Sequence, residues 1–334
     1  MTVNVTTTSN IETNLKGHYD RNLLERAVPA LIHGRYAQVR PMPKKKGNRI
    51  NFRRYNSLAV NTTPLTEGVT PAGQKLSSTN IYATVRQYGD FVTYSDWLDM
   101  TGLDATIVEA TDLLGENMGE VIDTLDRNVF IAGTSVRYAG GVSARTSIVT
   151  GPAVTDLKSA VRTLRGGNAK MISEMTVAGA KIATRPIARG YRAIQHTDCQ
   201  HDFEALAGFT KSEEYASQKG VTEEEYGSWG NVRFEMTTLG KIYADGGGSV
   251  GSTGLISTSA SATDVYITMI FGKNACGTVP LQKSSVKSII KQMGSAGTED
   301  ALDQRASVGW KAARTAKILN DDFMIRYEHA LTDF

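Results

Sequence analysis

His196, Asp198, Cys199 and His201 fall together in the string H-T-D-C-Q-H and carry the residue types of a zinc site or a thiolate nucleophile. Histidine, cysteine and aspartate all ligate zinc, but this spacing matches no standard zinc pattern, and no further ligand pair is evident elsewhere. A cysteine needs a nearby base to become a nucleophile, and a Cys–His pair this close in sequence seldom reaches the required geometry. The string therefore reads as a turn before a helix, with Asp198 as the N-cap. The glycine tract from Gly246-Gly247-Gly248 to Gly254 lacks the Lys and Ser/Thr that complete a phosphate loop. Leu164–Lys170 (LRGGNAK) follows a helix and does not link a strand to one, so loop and helix end explain it better. The acid pairs Asp321–Asp322 and Glu223–Glu225 have the types for proton transfer, yet a turn and a solvated loop account for them. The basic set Lys44, Lys45, Lys46, Arg49, Arg53 and Arg54 suits either a polyanion or a neighbour's acidic surface. On a projecting hairpin the second is favoured. Trp97, Trp229 and Trp310 are isolated, so no stacking platform for bases emerges.

The bulk composition is globular, with 334 residues, 40% hydrophobic and 21% charged, and a net charge of +3. The charge is uneven. Residues 1–60 hold eleven Lys/Arg against three Asp/Glu, and the remainder holds 26 against 31. A basic front on a mildly acidic body points to contact with an acidic surface. Two distant cysteines make no disulfide framework and suit folding in a reducing cytoplasm. The first residues show no signal-peptide pattern. No apolar run approaches membrane-span length, so no membrane partner is expected.

The elements that must position these residues follow from periodicity and punctuation. Residues 1–22 are polar and read as an extended arm. Leu23, Leu24, Ala27, Val28, Leu31 and Ile32 give helical spacing over 23–40, broken at Pro29 and ended by Pro41 and Pro43. Residues 44–98 read as a long polar hairpin. Its strands are Ile50–Leu58 and Asn80–Tyr94, and its tip is Thr63–Gly73. A two-stranded ribbon buries too little apolar surface to stand alone in water, so it needs a partner surface. A helix follows, with Ile107, Leu114, Met118, Val121, Leu125 and Val129 along one face. Glu109, Asp112, Glu116, Glu120 and Asp123 occupy the other. At 1.5 Å per residue it makes a rod of roughly 40 Å, ended by Gly133. Beyond lie a helix at Asp156–Arg165 and strands at Thr176–Thr184, Tyr191–Ile194, Asn231–Thr238 and Asp264–Gly272. Val286–Met293 reads as strand or short helix, and His201–Ala207 as a short helix. Lys211–Gly230 reads as an exposed acidic insertion and Asp245–Thr263 as a flexible loop. Two strands flank the turn Asn320-Asp321-Asp322. The fold class is α+β.

Several strings in this order resemble a known family. FRRYNSL (Phe52–Leu58), LTEGVTP (Leu65–Pro71), YGDFVTYSD (Tyr88–Asp96), GNVRFEMTT (Gly230–Thr238) and LDQRASVGWKAARTAKILND (Leu302–Asp321) are similar to the N4-like major capsid family of tailed phages, which has the Hong Kong 97-type capsid fold. The resemblance implies an N-terminal arm and short helix at 1–43 and an E-loop hairpin at 44–98. It implies a peripheral domain with a long spine helix at 99–150 and a mixed α/β axial domain at 151–300. A C-terminal β segment at 301–334 then returns to the junction of the two. It implies a non-enzymatic subunit that forms pentamers and hexamers of an icosahedral shell around phage double-stranded DNA, in a virion assembled in the host cytoplasm. It carries over no catalytic, cofactor or metal residue. Arg49, Arg53, Arg54, Glu67, Lys75 and Arg86 on the hairpin, and Glu109, Asp112 and Glu116 on the helix, are the expected assembly contacts. A portal, a scaffolding protein and a decoration protein are the expected further partners. The scaffolding protein is expected to be separate, because the chain begins close to its arm. The alternatives are an encapsulin-like nanocompartment shell and a cytoplasmic hydrolase using Cys199 with His196 or His201.

Overall fold

The computed structural model describes residues 31–43, 45, 47–97, 106–177, 183–215, 220–251, 254–280, 286–295 and 302–334. The arm at 1–22, the first part of the helical pattern at 23–40, and Lys44 and Lys46 lie outside them. So do 98–105, 178–182 within the expected strand Thr176–Thr184, and 216–219 within the acidic insertion. The described part of 23–40 is a turn followed by the short strand β1, Gln38–Val39, and not a helix. Among the described residues the strands form a nine-stranded sheet, a five-stranded sheet and a two-stranded ribbon.

The expected hairpin divides in two. β2 (Arg49–Tyr55) pairs antiparallel with β3 (Ser78–Thr84), which makes the ribbon. The return strand breaks at Val85, and β4 (Arg86–Ser95) leaves the ribbon. It pairs instead along its whole length with β15 (Arg305–Ile318). Propensity marks Ile81–Tyr94 as one extended run. It does not choose the partner, and β15 supplies an apolar face that β2 lacks. β15 also carries β13 (Cys276–Pro280) and β14 (Val286–Lys291) on its other edge, and β1 joins β13 in parallel.

Helix α1 (Thr106–Phe130) covers one face of this sheet. Leu114, Met118 and Ile122 pack on Tyr94, Ala306, Val308, Trp310 and Ala312. The buried stripe is rotated from the expected one. Leu114 and Met118 are buried, whereas Val121, Leu125 and Val129 are only half-buried. Asp123, expected on the solvent face, is fully buried, as is Asp126.

The nine-stranded sheet is built around β12 (Val265–Phe271), whose every residue is buried. β16 (Met324–His329) and β7 (Ala183–His196) flank it. β5 (Val136–Tyr138), β6 (Ile172–Val177), β8 (Phe209–Lys211), β9 (Glu225–Trp229), β10 (Val232–Thr237) and β11 (Ile242–Tyr243) extend it. α2 (Val154–Gly166) buries Leu157, Ala160 and Leu164 into the principal core. β16 alternates as expected, but both faces are covered: Ile325 and Tyr327 enter one core and Met324 another.

Two loop expectations are corrected. The acidic stretch contains β9, and Glu225 is buried among guanidinium groups. The Gly/Ser tract is held by long-range bonds. Asp264 Oδ1 accepts from the amides of Asp245 (2.7 Å) and Thr258 (3.1 Å), and Thr263 Oγ1 donates to the Ile148 carbonyl at 2.7 Å.

Candidate assembly interface

Among the described residues the ribbon is anchored at its base. Phe52 and Ala83 pack with Met42 and Val279 in a small buried cluster. The Arg49 guanidinium lies 3.9 Å from the Tyr82 ring centroid, a cation–π contact that stiffens the base. Beyond it every residue from Arg53 to Asn80 is exposed. Asn56 and Ser77 are tied across the chain, and Gln74 Nε2 donates to the Ala59 carbonyl at 2.8 Å. These bonds set the course of the arm without covering it. Val60 is 89% exposed, Leu65 76% and Val69 62%. A run of uncovered large apolar side chains marks an interaction surface.

The sequence-derived contact residues spread over four places. Arg53 and Arg54 are exposed on β2, and Glu67 and Lys75 are exposed in the arm. Arg86 opens β4, opposite Arg314 in the register. Asp112 and Glu116 lie on α1, the first half-buried and the second exposed, and both already carry an interaction. The side chain of Glu109 lies outside the described residues. Among the described residues, no ion pair joins the basic residues of the arm to the acidic residues of α1 within the chain.

A group not foreseen from sequence straps the segment before β1 to the body. Asp123 Oδ1 accepts from the amides of Ile32 (2.9 Å) and His33 (2.8 Å). Arg35 makes a two-point ion pair with Glu224, and the Tyr36 hydroxyl donates to Glu235. Glu235 and Glu225 share the buried Arg192. Burial raises the Glu235 carboxyl, against the lowering effect of Tyr36 and Arg192. Burial also lifts Asp126 to about 6, with Arg314 opposing. The only sequence signal was an acid beside apolar stripe positions, which also fits a solvated helix face.

No family model matches the sequence, and no curated protein matches it. Solved structures do. The capsid of Ralstonia phage GP4 aligns over 89% of this chain and 88% of that one, at 14% identity and a TM-score of 0.67. The capsid structure of cyanophage P-SCSP1u aligns over 90% and 89%, at 12% identity and 0.57. The head structure of Helicobacter pylori bacteriophage KHP40 aligns over 89% and 88%, at 13% and 0.56. This chain has the fold of phage capsid proteins.

On this capsid fold the H-T-D-C-Q-H string forms a tight turn. Cys199 is wholly buried, and burial pushes its thiol well above the ordinary range, away from the thiolate form. His196, not Asp198, is the cap: its Nδ1 accepts the Asp198 amide at 3.2 Å. Asp198 Oδ2 instead accepts the Tyr266 hydroxyl at 3.1 Å. The His201 ring lies edge-on to Phe334, 5.5 Å between centroids. Among the described residues no group of three or more His, Cys, Asp or Glu is placed to hold a metal ion. No helix of the described residues is long and apolar enough to cross a membrane.

Proposed function

We propose that this chain is the major capsid protein of a tailed phage, an N4-like member of the Hong Kong 97 type. Its copies close a shell of pentamers and hexamers around double-stranded DNA in the host cytoplasm. The observation that carries this reading is the arm. Twenty-eight consecutive exposed residues, Arg53 to Asn80, display apolar side chains that none of the described residues covers. The likeness of fold to capsid proteins supports it. In this reading the arm is the E-loop, α1 the spine helix, and the nine-stranded sheet the axial domain. A portal, scaffolding and decoration proteins act as partners, and the role needs no catalysis. Each arm contact is weak, and a shell gains strength from many at once.

Deleting Asn61–Ser77 removes the arm and leaves the clusters at its base. The truncated subunit is expected to remain folded and to form no closed particles by electron microscopy, where the full chain, with a scaffold if required, forms shells. Closed particles of normal size from the deletion would refute the reading.

A further inference from the structure

We propose that His33-Gly34-Arg35-Tyr36 is a clasp that fixes the angle between the nine-stranded and five-stranded sheets, and that this angle sets how strongly a shell of copies curves. The clasp follows from the fold alone; its effect on curvature rests on the assembly reading of the chain. The four residues lie in a row and grip different elements. His33 holds Asp123 of α1. Gly34 passes over the ion pair that joins Asp126 of α1 to Arg314 of β15. An added Cβ there would lie 2.5 Å from Asp126 Oδ2 and 2.8 Å from Arg314 Nη2, so this close approach requires glycine. Both contacts belong to the five-stranded sheet and its helix.

The next two residues reach the other way. Arg35 donates to both oxygens of Glu224, at 2.5 and 2.9 Å. The Glu224 carbonyl in turn accepts the Met236 amide of β10 at 3.1 Å. The Tyr36 hydroxyl donates to Glu235 of β10, and its ring centroid lies 5.4 Å from the guanidinium of Arg192 on β7. β7 and β10 are paired strands of the nine-stranded sheet. From Gln38 the chain returns to the five-stranded sheet. There β1 pairs with β13, and the Arg40 and Met42 amides donate to the Thr278 and Pro280 carbonyls. Arg35 and Tyr36 thus form a polar bridge between the sheets, with the chain fixed on either side of them.

The two sheets also meet in an apolar cluster. Phe130 of α1 and Ala316 of β15 join Ile194, Ile267, Met269 and Phe271 of the larger sheet, and Tyr36 packs against them. Apolar burial is non-directional and tolerates small sliding of one packed element on another. Charge-assisted hydrogen bonds hold both distance and direction. The cluster therefore joins the sheets, and the clasp chooses the angle at which they join. The bridge is not fully matched. Glu235 Oε2 and Arg192 Nε are buried without a hydrogen-bond partner among the described residues. Unmatched buried polar atoms cost stability, so the clasp lies nearer to release than a complete network would.

Spin labels at Arg162→Cys on α2 and Lys311→Cys on β15 report the angle in the unassembled full chain. Both positions are exposed, and the native Cys199 and Cys276 are buried. Tyr36→Phe keeps the packed ring and loses the hydroxyl. Arg35→Ala with Tyr36→Phe removes the bridge, and Gly34→Ala pushes the backbone off the ion pair. By double electron–electron resonance the labelled parent is expected to give one narrow distance, and each clasp variant a shifted, broader distribution with circular dichroism unchanged. A clasp that only adds stability would lower the melting temperature and leave the distance alone. That result from Tyr36→Phe and from the double variant would overturn the proposal; should the double variant fail to fold, Tyr36→Phe alone decides. In assembly, with a scaffold if required, the double variant is expected to give particles of more than one diameter by electron microscopy. Uniform particles of parental diameter beside a shifted distance would overturn the link to curvature. No shells from the parent chain would remove the assembly reading and the curvature with it, while the distances still decide the clasp.

Discussion

His33 Nδ1 and Asp123 Oδ2 lie 2.6 Å apart, with both side chains buried. Asp123 thereby serves three donors, since its other oxygen holds the amides of Ile32 and His33. The pair fastens the segment before β1 to the middle of α1. Asp126, one turn further along, makes an ion pair with Arg314 of β15. Two adjacent acids on one helix therefore fix two different parts of the chain.

Asp123→Ala would strand two backbone amides and an imidazole without a partner in a buried place. Loss of a charged acceptor with several donors is expected to cost about 3 kcal/mol or more. Urea unfolding of the unassembled subunit measures it. A loss under about 0.5 kcal/mol, typical of surface sites, would show that the strap contributes no stability.

Acid should act on the fold through His329. It is fully buried, with Nε2 on Thr268 Oγ1 at 2.9 Å and Nδ1 near the Ala330 carbonyl. The rings of Phe203 and Tyr327 complete its surroundings. Burial lowers it from 6.5 to about 4. The unfolded chain therefore binds the extra proton first. Stability falls as pH drops below 6.5, and the loss is complete below about 4, reaching about 3 kcal/mol from this group. Asp126 works the other way. Its folded value of about 6 exceeds 3.8, so the folded state binds the extra proton between the two and gains stability as pH falls. In urea titrations from pH 7 to 4, His329→Gln should flatten the acid loss and Asp126→Asn should steepen it. Identical slopes in all three proteins would contradict both assignments.

Leu65→Ser with Val69→Ser separates assembly from folding. Both side chains are already exposed, so the melting temperature of the subunit should hold. Shell yield should fall, because about 25 cal/mol per Å² of apolar surface is then no longer buried between copies. Equal yields by sedimentation, at unchanged subunit concentration, would mean that these two side chains stay in water in the shell.

How much of this was legible in the sequence depends on range. The run Val265–Phe271, the alternation of Val232 and Phe234, and the spacing of Leu114 and Met118 declared themselves, because the neighbours that bury them impose a period. The exposed arm was legible too, since Pro64, Gly68, Pro71 and Gly73 interrupt any strand ladder. What failed needed distant partners. Val85 carries no mark that β3 and β4 diverge. Glu225 and Asp123 look solvated until Arg192 and His33, far off in sequence, arrive beside them. The tract at Asp245–Thr263 looks loose by composition, yet its bonds reach Ile148 and Asp264.

β15 and β16 follow each other across the turn Asn320–Phe323 but lie in different sheets. A pull on the ribbon passes through Val85 to β4, across ten paired residues to β15, and then along the covalent chain to the centre of the larger sheet. Tension at the periphery is thus borne by the deepest strands of the molecule. On the proposed function, such a load path would suit a wall panel that is pushed from within and gripped at its rim.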